Sequence, residues 1–448
     1  METNMTKGSP YRLLFFFSIP LIFGNLFQQF YSMVDTIVVG RFVGVDALAA
    51  VGATSGFSFM VIGFGQGLTM GFSVLISQYY GADDKDMMRK SYAMSILSSF
   101  IISIIISLIF ITFSIPMLRL IKTPENIIDG ANIYISIIYG GIIAVIYYNL
   151  FSSVLRAVGD SKSPLIFLLV ASLLNIAGDL FLVIVIPMGV AGVAIATVVS
   201  QAVSALLCYV YINRKYPVFR VGKKDFKIDF FLVRRLLKIG LPGALHFSVC
   251  AIGVVIVQAA INKFGSDTVA AYSVGNKIEN VITVVYNVFG MAISTYAGQN
   301  LGSGKYRRIV AGFKAICVLS LLATVFTVAL AWTISQPLSY LFVDKSTTDP
   351  AIINMSVFYV RTISFFFPFL ASIFIFRTGC QGLGSGSIPM ISSISELIIR
   401  ALAAFTLPAL LGYTGVVLAS PFAWVIAGII CPLCYYFLIK DIKRQLTD

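Results

Sequence analysis

The chain has 448 residues, of which 58% are hydrophobic and 11% charged, and its mean hydropathy is +0.93. A water-soluble domain carries about 25% charged residues, so a soluble globular protein is excluded and a polytopic membrane protein is expected. The net charge of +13 does not point to nucleic acid, because the basic residues fall in connections between apolar stretches, as the positive-inside rule requires.

The opening METNMTKGSPYR leads directly into an apolar run too long for a signal-peptide core, so no cleaved signal is expected. About 20 apolar residues suffice to cross a bilayer. On that basis twelve spans are expected, near 11–40, 47–78, 92–116, 131–155, 164–187, 189–212, 232–262, 269–300, 310–342, 352–380, 388–410 and 414–439. Pro20, Pro242, Pro368 and Pro421 fall inside spans as candidate kinks.

The first span carries the strongest functional signal. It holds an acid, Asp35, with no Lys or Arg within a helical turn. A carboxylate at membrane depth costs roughly 3 kcal/mol on insertion scales. Gly24, Gln28, Tyr31 and Asp35 share one helical face, and Asn25, Gln29, Ser32 and Thr36 flank it. Such a face has to look into protein or a wet cavity. The plainer alternative is that Asp35 only hydrogen-bonds a neighbouring helix.

Twelve spans put both termini on one side. That side receives Lys7, Arg12, Lys85, Arg89, Lys90, Arg156, Lys162, Lys305, Arg307, Arg308, Lys314, Arg377, Lys440, Lys443, Arg444 and the strongly basic 213–238 stretch. The other side has only Arg41, Arg119, Lys122, Lys263 and Lys345. Both termini and the central linker are therefore expected to be cytoplasmic, with the linker either solvated or touching anionic lipid.

The linker separates two halves that repeat. Gly44-Val45-Asp46-Ala47 matches Gly265-Ser266-Asp267-Thr268, Gln78 and Gly81 match Gln299 and Gly302, and Gly159–Pro164 matches Gly384–Pro389. Six spans per half give both halves the same sense in the membrane. The expected fold is an all-α membrane protein of twelve transmembrane helices, in two pseudo-symmetric six-helix lobes around a central cleft. Residues 1–212 form the first lobe, 213–231 the basic linker and 232–448 the second lobe. The duplication supplies both sides of the cleft, so the chain is expected to work as a monomer.

Asp179 is a second unpaired intramembrane acid, with Asn175 one turn before it on the same face. Together with Asp35, Asn149 and Thr197 they give the first lobe two carboxylates and three neutral oxygen donors. Such a set suits a hard cation such as Na⁺, held by Asp35, Asp179 and Asn175, or else one proton shared between nearby carboxylates. A helix-packing hydrogen-bond cluster is the alternative. The second lobe carries Lys277, Glu279, Arg361 and the pair Glu396 and Arg400, four apart and expected to bind each other. His246 is the only histidine. Tyr31, Tyr139, Tyr147, Tyr148 and Tyr286 are candidates to line a cleft for organic cations. The six cysteines all lie in apolar segments and suggest no disulfide framework. No HExxH, P-loop or GxSxG occurs, so neither an enzyme nor an ATP-driven pump is expected.

These motifs resemble one family along nearly the whole chain, the multidrug and toxic compound extrusion (MATE) transporters. The resemblance is carried by Pro20 through Asp35 to Gly52, Gln78 with Gly81, and Arg156-Ala157-Val158-Gly159-Asp160. Asn175-x3-Asp179, Gly192-Val193-Ala194-x-Ala196-Thr197 and Gly298-Gln299-Asn300 complete it. It implies an inner-membrane antiporter that exports amphipathic, often cationic organic compounds by alternating access, coupled to Na⁺ or H⁺ and needing no cofactor. Asp35 matches the family's first-helix acid; Asn175, Asp179 and Thr197 match the first-lobe cation site of one branch, with Asn149 beside them. Gln28, Tyr31, Tyr147 and Tyr286 are the substrate-cleft candidates. Another branch carries an acid in the seventh helix, where this chain has only His246 nearby. A rival reading is a lipid-linked oligosaccharide flippase of related architecture, kept in view by Arg361 and Arg400. An intramembrane aspartyl protease using Asp35 and Asp179 is disfavoured, because Ile176-Ala177-Gly178-Asp179 lacks the first glycine of Gly-x-Gly-Asp.

Overall fold

The computed structural model describes residues 3–340 and 350–447; Lys345 lies outside the described residues. Those residues form fifteen α-helices with short π and 3₁₀ turns and no strand. In chain order they are α1 (Pro10–Val38), α2 (Val45–Gly81), α3 (Lys85–Thr112), α4 (Ser114–Leu120), α5 (Glu125–Gly140), α6 (Ile142–Ala157), α7 (Lys162–Leu180) and α8 (Gly189–Lys215). There follow α9 (Phe230–Ile261), α10 (Ser266–Gly302), α11 (Tyr306–Ser339), α12 (Pro350–Ser364), α13 (Phe367–Gly382), α14 (Ser387–Leu411) and α15 (Tyr413–Thr447). An all-helical chain is what hydrocarbon demands, since a helix satisfies its own backbone donors and acceptors.

Ten helices are individually long and apolar enough to cross a membrane. Two bent pairs, α5 with α6 at 46° and α12 with α13 at 57°, pass the same test together, which brings the total to twelve where each pair counts as one span. The expected spans 131–155 and 352–380 are therefore each broken. Gly141 forms the first break; a Cβ there would lie 2.3 Å from the Val198 side chain. At the second, Pro368 sits in the first turn of α13, where its missing N–H costs nothing, so it starts a helix and does not kink one. Pro20, Pro242 and Pro421 do lie inside helices.

The repeat is written in the backbone. Gly44 (φ 124°) and Gly265 (φ 91°) precede α2 and α10, each 37 residues long. Asp83 and Gly304 follow those helices at φ 57° and 68°. Gly159 and Gly384 take φ 87° and 89°, and Gly189 and Gly412 both take 58°. Left-handed backbone at matched places in both halves reflects one connection plan used twice.

The described residues fall into two compact units. The first comprises residues 3–4 and Ile19–Ser248, so the 213–231 connection lies wholly inside it. Its core packs Leu68, Phe72, Tyr92, Phe151 and Leu236 around α2, α3, α6 and α9. Here α2 and α9 meet closely: a Cβ on Gly71 would lie 2.3 Å from Gly240 Cα, so only glycine permits this approach. The second unit comprises Met5–Ser18 and Val249–Asp448. Its core includes Ile278, Tyr286, Tyr359, Phe367 and Trp424. In that unit the Gly298-Gln299-Asn300 motif seats the N-terminal segment. The Met5 amide donates to Gln299 Oε1 at 2.9 Å, and Asn300 Nδ2 donates to the Met5 carbonyl at 3.1 Å.

Candidate functional site

In the first unit, α1, α5, α7 and α8 bring polar side chains together inside an otherwise apolar body. Asp35 comes from α1. Asn175 and Asp179, both buried, come from consecutive turns of α7. Gly178 lets α7 approach α8, since a Cβ there would lie 3.1 Å from Ala196 Cβ. The next residue on α8, Thr197, receives a hydrogen bond from Asn175 Nδ2 at 3.4 Å.

The Asp35 and Asp179 carboxyl groups are neighbours, each in the electrostatic field of the other. Gln201, one turn beyond Thr197, lies beside the Tyr31 hydroxyl, and Tyr31 and Tyr134 both lie in the field of the two acids. Five buried oxygens have no hydrogen-bond donor: Asp35 Oδ1, Asn175 Oδ1, both oxygens of Asp179 and Gln201 Oε1. Buried acceptors are rarely left without a partner. Two unit negative charges about 4 Å apart repel by about 4 kcal/mol at an effective dielectric of 20. A proton shared by the pair, or a cation among these oxygens, relieves both costs.

The donor set is all oxygen, which suits a hard cation and not a soft transition metal. No cluster of three or more His, Cys, Asp or Glu occurs among the described residues. Each acid is followed closely by a π turn, Val39–Val43 after Asp35 and Phe181–Val185 after Asp179. Such turns recur at functional sites because they reposition side chains within a helix.

The remaining expected residues scatter. Asn149 turns its Nδ2 back to the Val145 carbonyl of its own helix at 2.9 Å, and no described bond joins it to the acids. Gln28 is exposed on α1, one turn before Tyr31. Tyr147 donates to the Ile96 carbonyl at 3.2 Å and packs on Phe151. Tyr286, expected at the cleft, is instead buried in the second unit, its hydroxyl 2.6 Å from Thr327 Oγ1 and its ring edge against Phe367. Tyr139 is likewise buried, against Phe110. Tyr134 and Gln201 were not anticipated. Gln201 had a signal, the four-residue spacing from Thr197 on one helical face; Tyr134 had none beyond its residue type.

The second unit arranges its charges differently. Glu396 pairs with Arg400, as expected, and also with Arg377 at 3.3 Å. Arg377, counted on the side of the termini at the end of the expected span 352–380, is a buried residue of α13. The Tyr359 hydroxyl donates to Glu279 Oε2 at 2.6 Å. Arg361 donates to the Trp332 carbonyl at 3.1 Å and lies 5.3 Å over its ring. Lys277 is exposed on α10, and His246, in the first unit, packs beside Phe247.

Comparison with known proteins places this geometry in a family. The MatE family model matches residues 20–181 and again 242–406, once in each half. "Probable multidrug resistance protein YpnP" of Bacillus subtilis (strain 168) is 28% identical, covering 97% of this chain and 96% of its own length. "Probable multidrug resistance protein YoeA" of the same organism is 29% identical, covering 77% and 76%. A solved structure described as an outward-facing conformation of a multidrug resistance MATE family transporter superposes with a TM-score of 0.92. It is 22% identical, with 98% of each chain covered, and so speaks to the fold alone. With one model matched in both halves, the chain belongs to the MatE family, the multidrug and toxic compound extrusion transporters, and is a multi-pass membrane transporter, not an enzyme.

Proposed function

We propose that the protein exports amphipathic, often cationic organic compounds across the inner membrane in exchange for Na⁺ or H⁺. The observation that carries this is the neighbouring pair Asp35 and Asp179, set among buried oxygens that lack donors. In this reading the ion enters from outside and neutralises the pair. Loss of the repulsion, and ligation by Asn175, Gln201 and Thr197, draws α1 toward α7 and α8 and alters the first unit. Substrate is released outward, and the π turns beside each acid take up the change in helix geometry. Asn149 belongs to the surrounding polar network, and Gln28, Tyr31 and Tyr147 contact substrate. Both termini are cytoplasmic. One charge moving inward through 100 mV supplies about 2.3 kcal/mol before any concentration term.

The printed names of the relatives, multidrug resistance proteins, support the export of organic compounds. A flippase for lipid-linked oligosaccharide would need uncommitted positive charge for a pyrophosphate. Arg400 is committed to Glu396, and nothing in the comparisons favours that alternative.

The test is efflux of a fluorescent organic cation from cells expressing wild type or Asp35→Asn, under a Na⁺ gradient and a pH gradient imposed separately. Wild type should extrude dye under one gradient, which names the ion, and the variant under neither. Equal efflux by both proteins would show that Asp35 is structural and end this reading.

A further inference from the structure

A cavity of about 410 Å³ lies wholly within the first unit, between the start of α3, the 213–231 connection and the start of α9. Three ammonium groups line it, Lys90 from α3 and Lys224 and Lys227 from the connection. Two acids line it as well, and both are already engaged. Asp225 accepts from Arg89 Nε at 3.0 Å and from the Gly222 amide at 2.8 Å. These bonds hold its carboxyl below the usual range, the Gly222 amide foremost. Asp229 caps α9, accepting from the Phe231 and Leu232 amides at 3.0 and 3.1 Å.

Lys90 reaches Asp225 only through space, and no carboxylate among the described residues lies within 4.0 Å of Lys90, Lys224 or Lys227. The cavity therefore presents three exposed lysines that no carboxylate among the described residues pairs with. Its rim is apolar and open: Ile228 is 52% exposed and Phe230 80%. Both α3 and α9 go on from here to cross the membrane, so the rim stands where headgroups meet hydrocarbon. Cationic donors inside, with large exposed apolar side chains at the lip, match a molecule that carries both an anion and a hydrocarbon tail. A soluble anion would leave Phe230 and Ile228 facing water.

We propose that this cavity binds an anionic phospholipid, its phosphate held by Lys90, Lys224 and Lys227 and its acyl chains laid against Ile228 and Phe230. The site is separate from the Asp35–Asp179 cluster, and it would stand if the coupling scheme above fell.

The full chain would be purified in detergent and offered phosphatidylglycerol and phosphatidylcholine in equal amounts, with lipid retention read by native mass spectrometry. Wild type should retain phosphatidylglycerol with a preference of roughly thirtyfold or more, as expected of two to three basic groups at a membrane surface, each worth about 1 kcal/mol. The triple variant Lys90→Gln, Lys224→Gln, Lys227→Gln should lose that preference while keeping the same thermal midpoint in phosphatidylcholine. Phe230→Ser should weaken retention of phosphatidylglycerol yet leave the response to added inorganic phosphate unchanged. Equal retention of the two lipids by wild type would overturn the proposal. So would a preference that survives the triple substitution, or displacement of the lipid by millimolar inorganic phosphate.

Discussion

The two units share a backbone plan and treat buried charge in opposite ways. Pro20 in α1 corresponds to Pro242 in α9, and counting on from each sets Asp35 against Val257, a buried apolar residue. Pro164 in α7 corresponds to Pro389 in α14, and the same count sets Asn175 against Arg400. The first unit thus has an acid and an amide where the second has a valine and a guanidinium. Its acids are neighbours among acceptors that lack donors, whereas Glu396 of the second unit lies between two arginines and Glu279 receives a tyrosine hydroxyl. A buried acid surrounded by its own donors is complete and has no use for a mobile ion. An acid beside another acid is incomplete, and its needs change when an ion arrives. Duplication preserved the helices and their left-handed connections; the charges decide which copy is built to respond.

The sharpest way to break this comparison is to remove one buried charge from each unit and read transport and stability together. Asp179→Asn should reduce gradient-driven dye efflux to the level of cells lacking the protein. It should also raise the thermal midpoint, because the repulsion between two buried carboxylates goes with it. Arg400→Leu should do the reverse to stability. It leaves Glu396 with Arg377 alone, and breaking a buried ion pair costs about 3–5 kcal/mol. Thermal unfolding in detergent would show the opposite signs. A fall of the midpoint in both variants would mean that Asp179 is as structural as Arg400.

A finer cut concerns Gln201, whose Oε1 is buried without a donor beside the acids. Gln201→Leu should leave folding and maximal efflux near wild type. It should weaken the coupling ion about tenfold, the usual effect of losing a supporting ligand, seen as a shift in the half-maximal Na⁺ concentration or pH. An unchanged half-maximal value would remove Gln201 from the site.

Much of this was legible in the sequence because charge in an apolar run is costly and therefore conspicuous. Asp35 and Asp179 stand out for that reason, and so does the pairing of Glu396 with Arg400, which needs only the four-residue spacing. The repeat was legible because glycines that must adopt positive φ recur in register. What stayed hidden depends on contacts between distant segments. Arg377 reads as one more basic residue on the side of the termini, because its partner, Glu396, lies on another helix. The break at Gly141 has no marker beyond a glycine pair, since Val198 is what crowds it. Tyr286 and Gln201 could not be sorted, because neutral polar side chains cost little at membrane depth and their meaning rests on neighbours that composition does not reveal.

The smallest expected effect tests whether the connection motif Arg156–Asp160 is architecture and not machinery. Asp160 is fully buried between α6 and α7. It accepts from Lys215 Nζ at 2.9 Å, from the Ser163 hydroxyl at 2.8 Å and amide at 3.1 Å, and from the Tyr211 and Tyr216 hydroxyls at 3.2 and 3.3 Å. Burial alone would raise its carboxyl pKa, but these donors outweigh burial and hold it below the usual range. A carboxyl depressed in the folded state contributes stability above its unfolded value, near 4, and that contribution drains away as pH falls through the folded value. Lys215 is about a third exposed, so water screens its share, and Asp160→Asn should cost only about 1–2 kcal/mol at neutral pH. The deficit should shrink as the pH is lowered below about 4, where wild type loses the same charge. Efflux per folded molecule should not change. A drop in efflux with the thermal midpoint intact would instead make Asp160 part of the transport cycle, and the division between a responsive first-unit cluster and a passive scaffold would have to be redrawn around it.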